Sequence, residues 1–476
     1  MLSTTDTKEC ISISQINYRQ SLCTILNGDL DFQGKTGDYA SHNFHSFPAK
    51  FPPQLPAKFI TTLTSAGEIV LDPMMGSGTT ILEAYLSGRR AIGIDIDPLA
   101  MLITKVKVTP QNKEKLTELR DEILIEAYNS LANRRQQLEK NLTSQWDQKT
   151  SEFVNYWFGH DTQLELAALL EQIQRISDID QRSFFLTAFS SIIITKSGGV
   201  SLALDLGHTR PHKAGLIVNK RGEQIYKRAV SNQDEPRHVM QKTIGSALDE
   251  FRHRVDKNLK GVLKADNSSE YVSIGFGDAQ YLPVADDSVS LIVTSPPYAS
   301  NAIDYMRAHK FSLIWLGYGV DTLAKKRKEY IGAENISENP VESLPPSTGE
   351  IVRKLEVLDK AKGMALGRYF SEMTRSLREM YRVLKGGRVA VLVVGSSIIR
   401  GVNTETGECL AEIACSIGFE DPIIGIRRID RNRRMMPVGS KLDLASQIQQ
   451  RMHEEKVIGL IKPESPINKG YHNENN

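Results

Sequence analysis

The stretch EIVLDPMMGSGTTILEAYLSGRRAIGIDIDP, residues 68–98, decides the fold. A short apolar run stops at an acid, Asp72, and a turn holding Gly76 and Gly78 follows. Apolar residues then recur at helical spacing through ILEAYL, and a second apolar run, AIGI, ends in Asp95 and Asp97. Strand, glycine turn, helix and strand form a β-α-β unit, the opening of a doubly wound parallel α/β sheet.

Working toward the C-terminus, VSLIVTSPPY (289–298) and GGRVAVLVVGSS (386–397) read as further strands, with a helix one-sided in its apolar residues, YFSEMTRSLREMYRVLK (369–385), between them. The sheet therefore resumes after residue 270. The intervening segment has another texture, with helical stretches TQLELAALLEQIQRI (162–176) and RSFFLTAFSSIII (182–194). Five segments are expected: an irregular polar arm at 1–40, a first half of the sheet domain at 41–110, a mainly helical insertion at 111–268, a second half at 269–465, and a tail at 466–476. A polar segment with three prolines, 334–350, is expected to be a surface loop.

The chain has 476 residues, enough for two or three packed units, with 40% hydrophobic and 24% charged residues, which excludes disordered and fibrous classes. Lys+Arg number 59 against 57 Asp+Glu, so any basic surface must be local. Four cysteines lack the density of a disulfide scaffold and the spacing of a metal site. With no apolar run of about 18 residues, neither secretion nor membrane spanning is expected, and a reducing cytoplasm fits.

In DPMMGSGTT (72–80) the glycines let backbone approach a ligand at a helix N-terminus, where N–H groups are free. The loop lacks the third glycine of the dinucleotide fingerprint and the Gly-Lys-Ser/Thr of a P-loop, which disfavours NAD and ATP. Asp72 beside it suits an ammonium better than a pyrophosphate. The bland alternative is a tight turn that binds nothing. Asp95 stands where an acid receives ribose hydroxyls, while Asp97, before Pro98, is expected to cap a helix. Asp278 in GDAQYLP could accept from an adenine amino group or be an ordinary turn aspartate. In TSPPY (294–298), Pro296 and Pro297 end the strand with fixed φ. Ser295 and the Pro296 carbonyl could accept from an exocyclic amine, and Tyr298 could stack on the ring through its face, its hydroxyl being dispensable.

Taken together, these segments resemble the amino-group DNA methyltransferases, which make N4-methylcytosine or N6-methyladenine. DPMMGSGTT is similar to their S-adenosylmethionine loop, which implies roles for Asp72, Pro73, Gly76, Gly78 and Thr79; GIDID resembles their ribose acid, Asp95, and GDA their adenine-contacting acid, Asp278. TSPPY resembles their catalytic tetrapeptide, Ser295, Pro296, Pro297 and Tyr298, and HNFHSFPAKFPPQLPAKFI the segment placing Phe47, Lys50 and Phe51 near the methionine end. VLKGGRVAVLVVG and EEKVIGLIKP resemble the fifth and the final, antiparallel strand of a class I, Rossmann-like methyltransferase sheet of seven strands. The resemblance implies S-adenosyl-L-methionine as cofactor, double-stranded DNA as partner with room for a cognate restriction endonuclease, no membrane partner and no metal. Ser295 favours cytosine N4 as the target. Adenine N6 is the alternative, followed by an RNA base and by a non-catalytic nucleic-acid-binding protein; an NAD oxidoreductase would leave TSPPY unexplained. In this chain the cofactor half precedes the catalytic half, and the insertion falls after the ribose acid, which is not its usual place.

The insertion carries a charge signal. From Arg210 to Lys264 there are 13 Lys+Arg and 6 Asp+Glu, a local +7 that suggests a phosphate-contacting face. Two shorter basic runs are RRIDRNRRMMP (427–437) and KKRK (325–328), the first where the last hairpin should turn. His208, Arg210 and His212 have no ligand partners at metal spacing.

Overall fold

Val70 and Leu71 point to opposite faces of β1 (Ile69–Asp72), and both are fully buried, so the first strand has protein on either side. That two-sided burial is what a central parallel strand requires. The computed structural model describes residues 17–48, 50–195, 197–206, 212–228, 240–264, 271–299, 304–333, 342–429 and 454–464. Ahead of β1 come α1 (Tyr18–Leu26) and α2 (Gln54–Leu63); after it come α3 (Thr79–Leu86), β2 (Arg90–Asp95) and α4 (Pro98–Val108). The insertion holds α5 (Lys113–Asn133), α6 (Arg135–Gln145), α7 (Gln148–Trp157), α8 (His160–Gln174), α9 (Ile179–Ile193) and α10 (Ala247–Leu259). Between α9 and α10 it also holds β3 (Ala203–Asp205) with β4 (His212–Lys213), and a three-stranded sheet of β5 (Leu216–Asn219), β6 (Gln224–Lys227) and β7 (Gln241–Ile244). The second half runs β8 (Val272–Phe276), β9 (Val289–Thr294), α11 (Tyr305–Leu313), α12 (Val320–Glu329), α13 (Pro346–Leu358), α14 (Lys360–Val383) and β10 (Leu384–Gly395). It ends with the small hairpin β11 (Ile398–Ile399) and β12 (Val402–Asn403), then α15 (Thr406–Ile417), β13 (Ile423–Arg428) and β14 (Glu454–Ile461).

The central sheet has the order β13-β14-β10-β9-β1-β2-β8. Its strands pair in parallel except β14, which is antiparallel to both β10 and β13. This is the seven-stranded α/β sheet with an antiparallel last strand that the sequence leads one to expect. Alternation along the strands splits the core in two. Val70, Leu291 and Val391 face α1, α2 and α3, while Leu71, Ile292 and Leu392 face α13, α14 and α15.

Two features differ from the sequence expectations. The segment 1–40 contains α1, which is no irregular lead-in: Asn17 caps it and Leu22 packs so close to β14 that a Cβ on Gly459 would sit 2.6 Å from it. Burying Leu22 completely contributes about 1.5 to 3 kcal/mol, and that tertiary gain stabilises a nine-residue helix too short to stand alone. The insertion, besides its helices, carries five short strands. Of the polar segment 334–350, residues 334–341 lie outside the described residues, as do His208, Arg210, 430–437 of the second basic run, and the tail from 465. No described helix is long and apolar enough to cross a membrane.

Candidate active site

The parallel strands β1, β2, β8 and β9 end on one edge of the sheet, and their C-terminal residues meet around a cleft with about 880 Å³ between its walls. An open α/β sheet binds ligands at that edge, because the loops leave the strands there with free backbone groups. The walls include Phe47, Lys50, Phe51, Asp72, Pro73, Gly76, Thr79, Asp95, Asp278, Ser295 and Pro297, all expected from the sequence. Gly78, Pro296 and Tyr298 do not line it.

The loop after β1 is held from several sides. Gly76 has φ +49 and its N–H donates to Asp95 Oδ2 at 2.7 Å. The other Asp95 oxygen accepts the Asp97 N–H at 2.8 Å. Gly78, at φ +71, packs against α4: a Cβ there would lie 2.4 Å from Thr104. Its role is therefore to let two helices approach, one layer behind the cleft. Behind the loop, the fully buried Lys107 donates to the Ser77 carbonyl at 2.6 Å, and burial pushes its ammonium well below the ordinary lysine range.

Asp72 and the tetrapeptide are joined through Thr294, whose hydroxyl donates to Asp72 Oδ1 at 2.7 Å. Burial raises the Asp72 carboxyl to about 6 and, aided by neighbouring Asp97, raises Asp95 to about 7. Asp97 caps α4 through the Leu99 and Ala100 N–H groups, as expected, and also meets His309 Nδ1 at 2.5 Å. Burial pushes the Asp97 carboxyl up, but His309 and the helix N–H groups outweigh it and hold it low. Asp278 accepts from the Gln280 N–H at 2.9 Å, so the turn-aspartate role and a place in the cleft wall belong to one residue.

Ser295 donates its hydroxyl hydrogen to the Val393 carbonyl on β10 at 2.9 Å. So oriented, the oxygen offers lone pairs, and the Tyr298 side chain lies within hydrogen-bonding reach of it. Tyr298 is tied elsewhere: its hydroxyl donates to Glu455 Oε1 of β14 at 2.7 Å, and the other oxygen of that buried carboxylate pairs with Arg427 of β13. The hydroxyl is therefore not dispensable in the sense expected from the sequence, because it anchors the ring to the antiparallel end of the sheet. Burial, then the Glu455 charge, pushes the phenol well above its ordinary range, so it remains a donor.

Phe47 lies near-parallel to Tyr305, ring centroids 5.9 Å apart, and 4.8 Å from the His309 ring. Lys50 is exposed and its ammonium donates to the His42 carbonyl at 2.9 Å. The residues missed in the sequence are Tyr305, Tyr330 and His309, all from α11 and α12 or just beyond. They lie in no motif, and the one signal toward them was the extra acid of GIDID, whose partner is supplied about 210 positions later. Four aspartates facing Phe47, Phe51, Tyr305 and Tyr330 suit a flat ring carrying a cationic group: aromatic faces and carboxylates both attract positive charge. S-adenosylmethionine has that chemistry, and these residues fit it.

A family model described as DNA methylase matches residues 30–106, the stretch that carries the cofactor-side loop. Over 81% of its length the chain is 23% identical to the type II methyltransferase M.MvaI of Kocuria varians, covering 84% of that protein. It is 22% identical to M.BsoBI of Geobacillus stearothermophilus over 80% of the chain and 78% of the relative. A local match of 36% to M.MjaII of Methanocaldococcus jannaschii covers 21% of the chain and 18% of that protein. Among solved structures, a SAM-dependent methyltransferase from Methanosarcina mazei is 10% identical with a TM-score of 0.29, covering 85% of this chain and 98% of that one. The match at 30–106 and the similarity running along four-fifths of the chain make it similar to the amino-group DNA methyltransferases, N6 and N4 enzymes together.

Proposed function

We propose that the chain methylates the exocyclic N4 amine of a cytosine flipped out of duplex DNA, with S-adenosyl-L-methionine as donor. The observation that carries this reading is Ser295, in the wall of an acidic, aromatic cleft, with its hydroxyl hydrogen given to Val393. When bound, the donor would supply a methyl group on a positively charged sulfur, the S–CH3 electron pair staying on sulfur as the N–CH3 bond forms and one amine proton passing to solvent. Asp72 would take its ammonium end and Asp95 its ribose hydroxyls, while Asp278 would accept from its adenine amine; Phe47, Lys50, Phe51, Pro73, Gly76 and Thr79 would form the remaining walls. Gly78 would serve by shaping the loop from behind.

The amine of a nucleobase is a poor nucleophile because its lone pair is delocalised into the ring. An acceptor at Ser295 Oγ, with the Pro296 carbonyl as a second, would draw both N–H bonds out of the ring plane and favour a pyramidal nitrogen as the new bond forms. Pro297 stiffens the turn that presents them. Tyr298, held by Glu455, would support the flipped base with its ring. Ser295 also favours cytosine over adenine as the target.

The test is to incubate the chain with labelled S-adenosylmethionine and mixed-sequence duplex DNA, digest to nucleosides and separate them. Label in N4-methylcytosine is expected. Label in N6-methyladenine would keep the chemistry and reject the base, and no label in DNA would reject the reaction.

A further inference from the structure

A second concavity, with about 1110 Å³ between its walls, lies wholly within the insertion, between the end of α9, the loop that follows it, β7 and α10. Its lining brings Lys242, Arg254 and Lys257 together with one carboxylate, Glu250, and the hydroxyls of Ser191 and Thr195. Glu250 pairs with Lys220, 3.3 Å away, and its charge also reaches Arg254. Lys242 is buried and gives two of its three N–H bonds to the Ser201 and Ala203 carbonyls, at 2.7 and 2.6 Å. Carbonyls satisfy its hydrogen bonds without neutralising its charge. Among the described residues, no ion pair or hydrogen bond holds the half-buried Arg254 guanidinium or the exposed Lys257 ammonium. Burial lowers the affinity of both Lys242 and Arg254 for their protons, a cost that an anion in the cleft would offset.

We propose that this cleft grips a phosphodiester of the DNA backbone, with Arg254 and Lys257 as the contacting cations and Lys242 as the floor that braces the loop beneath them. The inference rests on the DNA-methylation reading and deepens it. A planar guanidinium beside a flexible ammonium and hydroxyls matches tetrahedral phosphate oxygens better than an apolar or cationic partner. The elements that line this cleft are also tied to the segment ahead of the cofactor side. Ser190, next to Ser191, meets His45 Nε2 at 2.9 Å, two residues before Phe47. Asn258, one helical turn beyond Arg254, donates to the Phe44 carbonyl at 3.4 Å. A phosphate held here would thus be fixed relative to the segment that walls the cofactor cleft.

The experiment compares the full chain with Lys257→Gln and with the Arg254→Gln/Lys257→Gln pair, titrating a fluorescent DNA duplex between about 50 and 200 mM salt. Each phosphate contact contributes about 0.9 to the slope of log affinity against log salt, so the double variant should lose about one unit of slope and several-fold in affinity. Affinity for S-adenosylmethionine should be unchanged, which also verifies folding; Lys257→Gln, at an exposed position, covers the case in which the pair fails to fold. Equal slopes and affinities in wild type and variants would overturn the inference, as would wild-type chain that binds no DNA. Inorganic phosphate that raises the wild-type melting temperature but not the variant's, with DNA slopes unchanged, would mean a free-anion site and reject the backbone assignment. The nucleoside assay on the same preparations separates the two readings. A wild type that methylates while the variants keep its slope rejects only the phosphate site; one that fails to methylate but shows the slope difference rejects only the chemistry.

Discussion

At Tyr298 two forces act on one side chain, and substitution separates them. Tyr298→Phe keeps the ring but leaves the buried Glu455 with Arg427 alone, so kcat/KM should fall about tenfold, the scale of one hydrogen bond to a charged group. Tyr298→Ala should fall further by a stacking contribution of about 1 to 3 kcal/mol. Wild-type methylation by Tyr298→Ala at saturating donor would remove the ring from the base pocket. Asp72 and Asp95 give a second residue-scale expectation. Their carboxyls are raised to about 6 and 7 in the folded chain, so without donor they contribute stability that is fully present below the ordinary aspartate range and lost as pH rises through those values. A cationic donor prefers the ionised forms. Its affinity should therefore rise with pH between about 5 and 8 and level off above, as calorimetry across that range would register. Asp95→Ala should weaken donor binding by about 1.5 to 3 kcal/mol and flatten the upper part of this profile. Unaltered affinity in Asp95→Ala would dismiss the ribose role.

Among the elements, the turn from β1 into α3 depends on conformation and space together. Gly78 and Gly88 have nearly the same φ, +71 and +70, but a Cβ on Gly78 would strike Thr104 whereas nothing lies within 4 Å of Gly88. Gly88→Ala should cost about 1 to 2 kcal/mol for the left-handed backbone alone. Gly78→Ala should cost a further 1 to 3 kcal/mol, roughly, from overpacking between α3 and α4. Urea unfolding of the two variants reads the difference; equal losses would show that α4 yields without cost.

Across the whole molecule, the insertion is continuous with the domain it interrupts. One apolar cluster takes in Phe44 and Ile103 of the first half, Phe158, Phe184 and Phe251 of the insertion, and Phe311 and Trp315 of the second half. All three tryptophans, Trp146, Trp157 and Trp315, belong to or pack on it. Tryptophan fluorescence should therefore follow the same thermal transition as far-UV circular dichroism, and saturating S-adenosylmethionine should raise both together. A fluorescence transition separate from the other, or unmoved by the donor, would make the insertion an independent unit.

The β-α-β unit, the strand ends and the motif residues were legible because each rests on local chemistry: alternating burial, a glycine's φ, a proline's fixed angle. The sequence by itself determined the parallel β-α-β part of the sheet and the acids and glycines at its strand ends, while the resemblance supplied the antiparallel last strand and the rest of the expected cleft lining. It also determined that Asp97 would cap α4, since a cap needs only the next three residues. Only tertiary structure decided that the same carboxylate meets His309, that Tyr298 is anchored by Glu455, that Gly78 stands behind the cleft and not in it, and that α1 is a packed helix. These depend on which residues from distant segments are pressed together when apolar surface is buried. No local pattern encodes a partner 212 positions away along the chain.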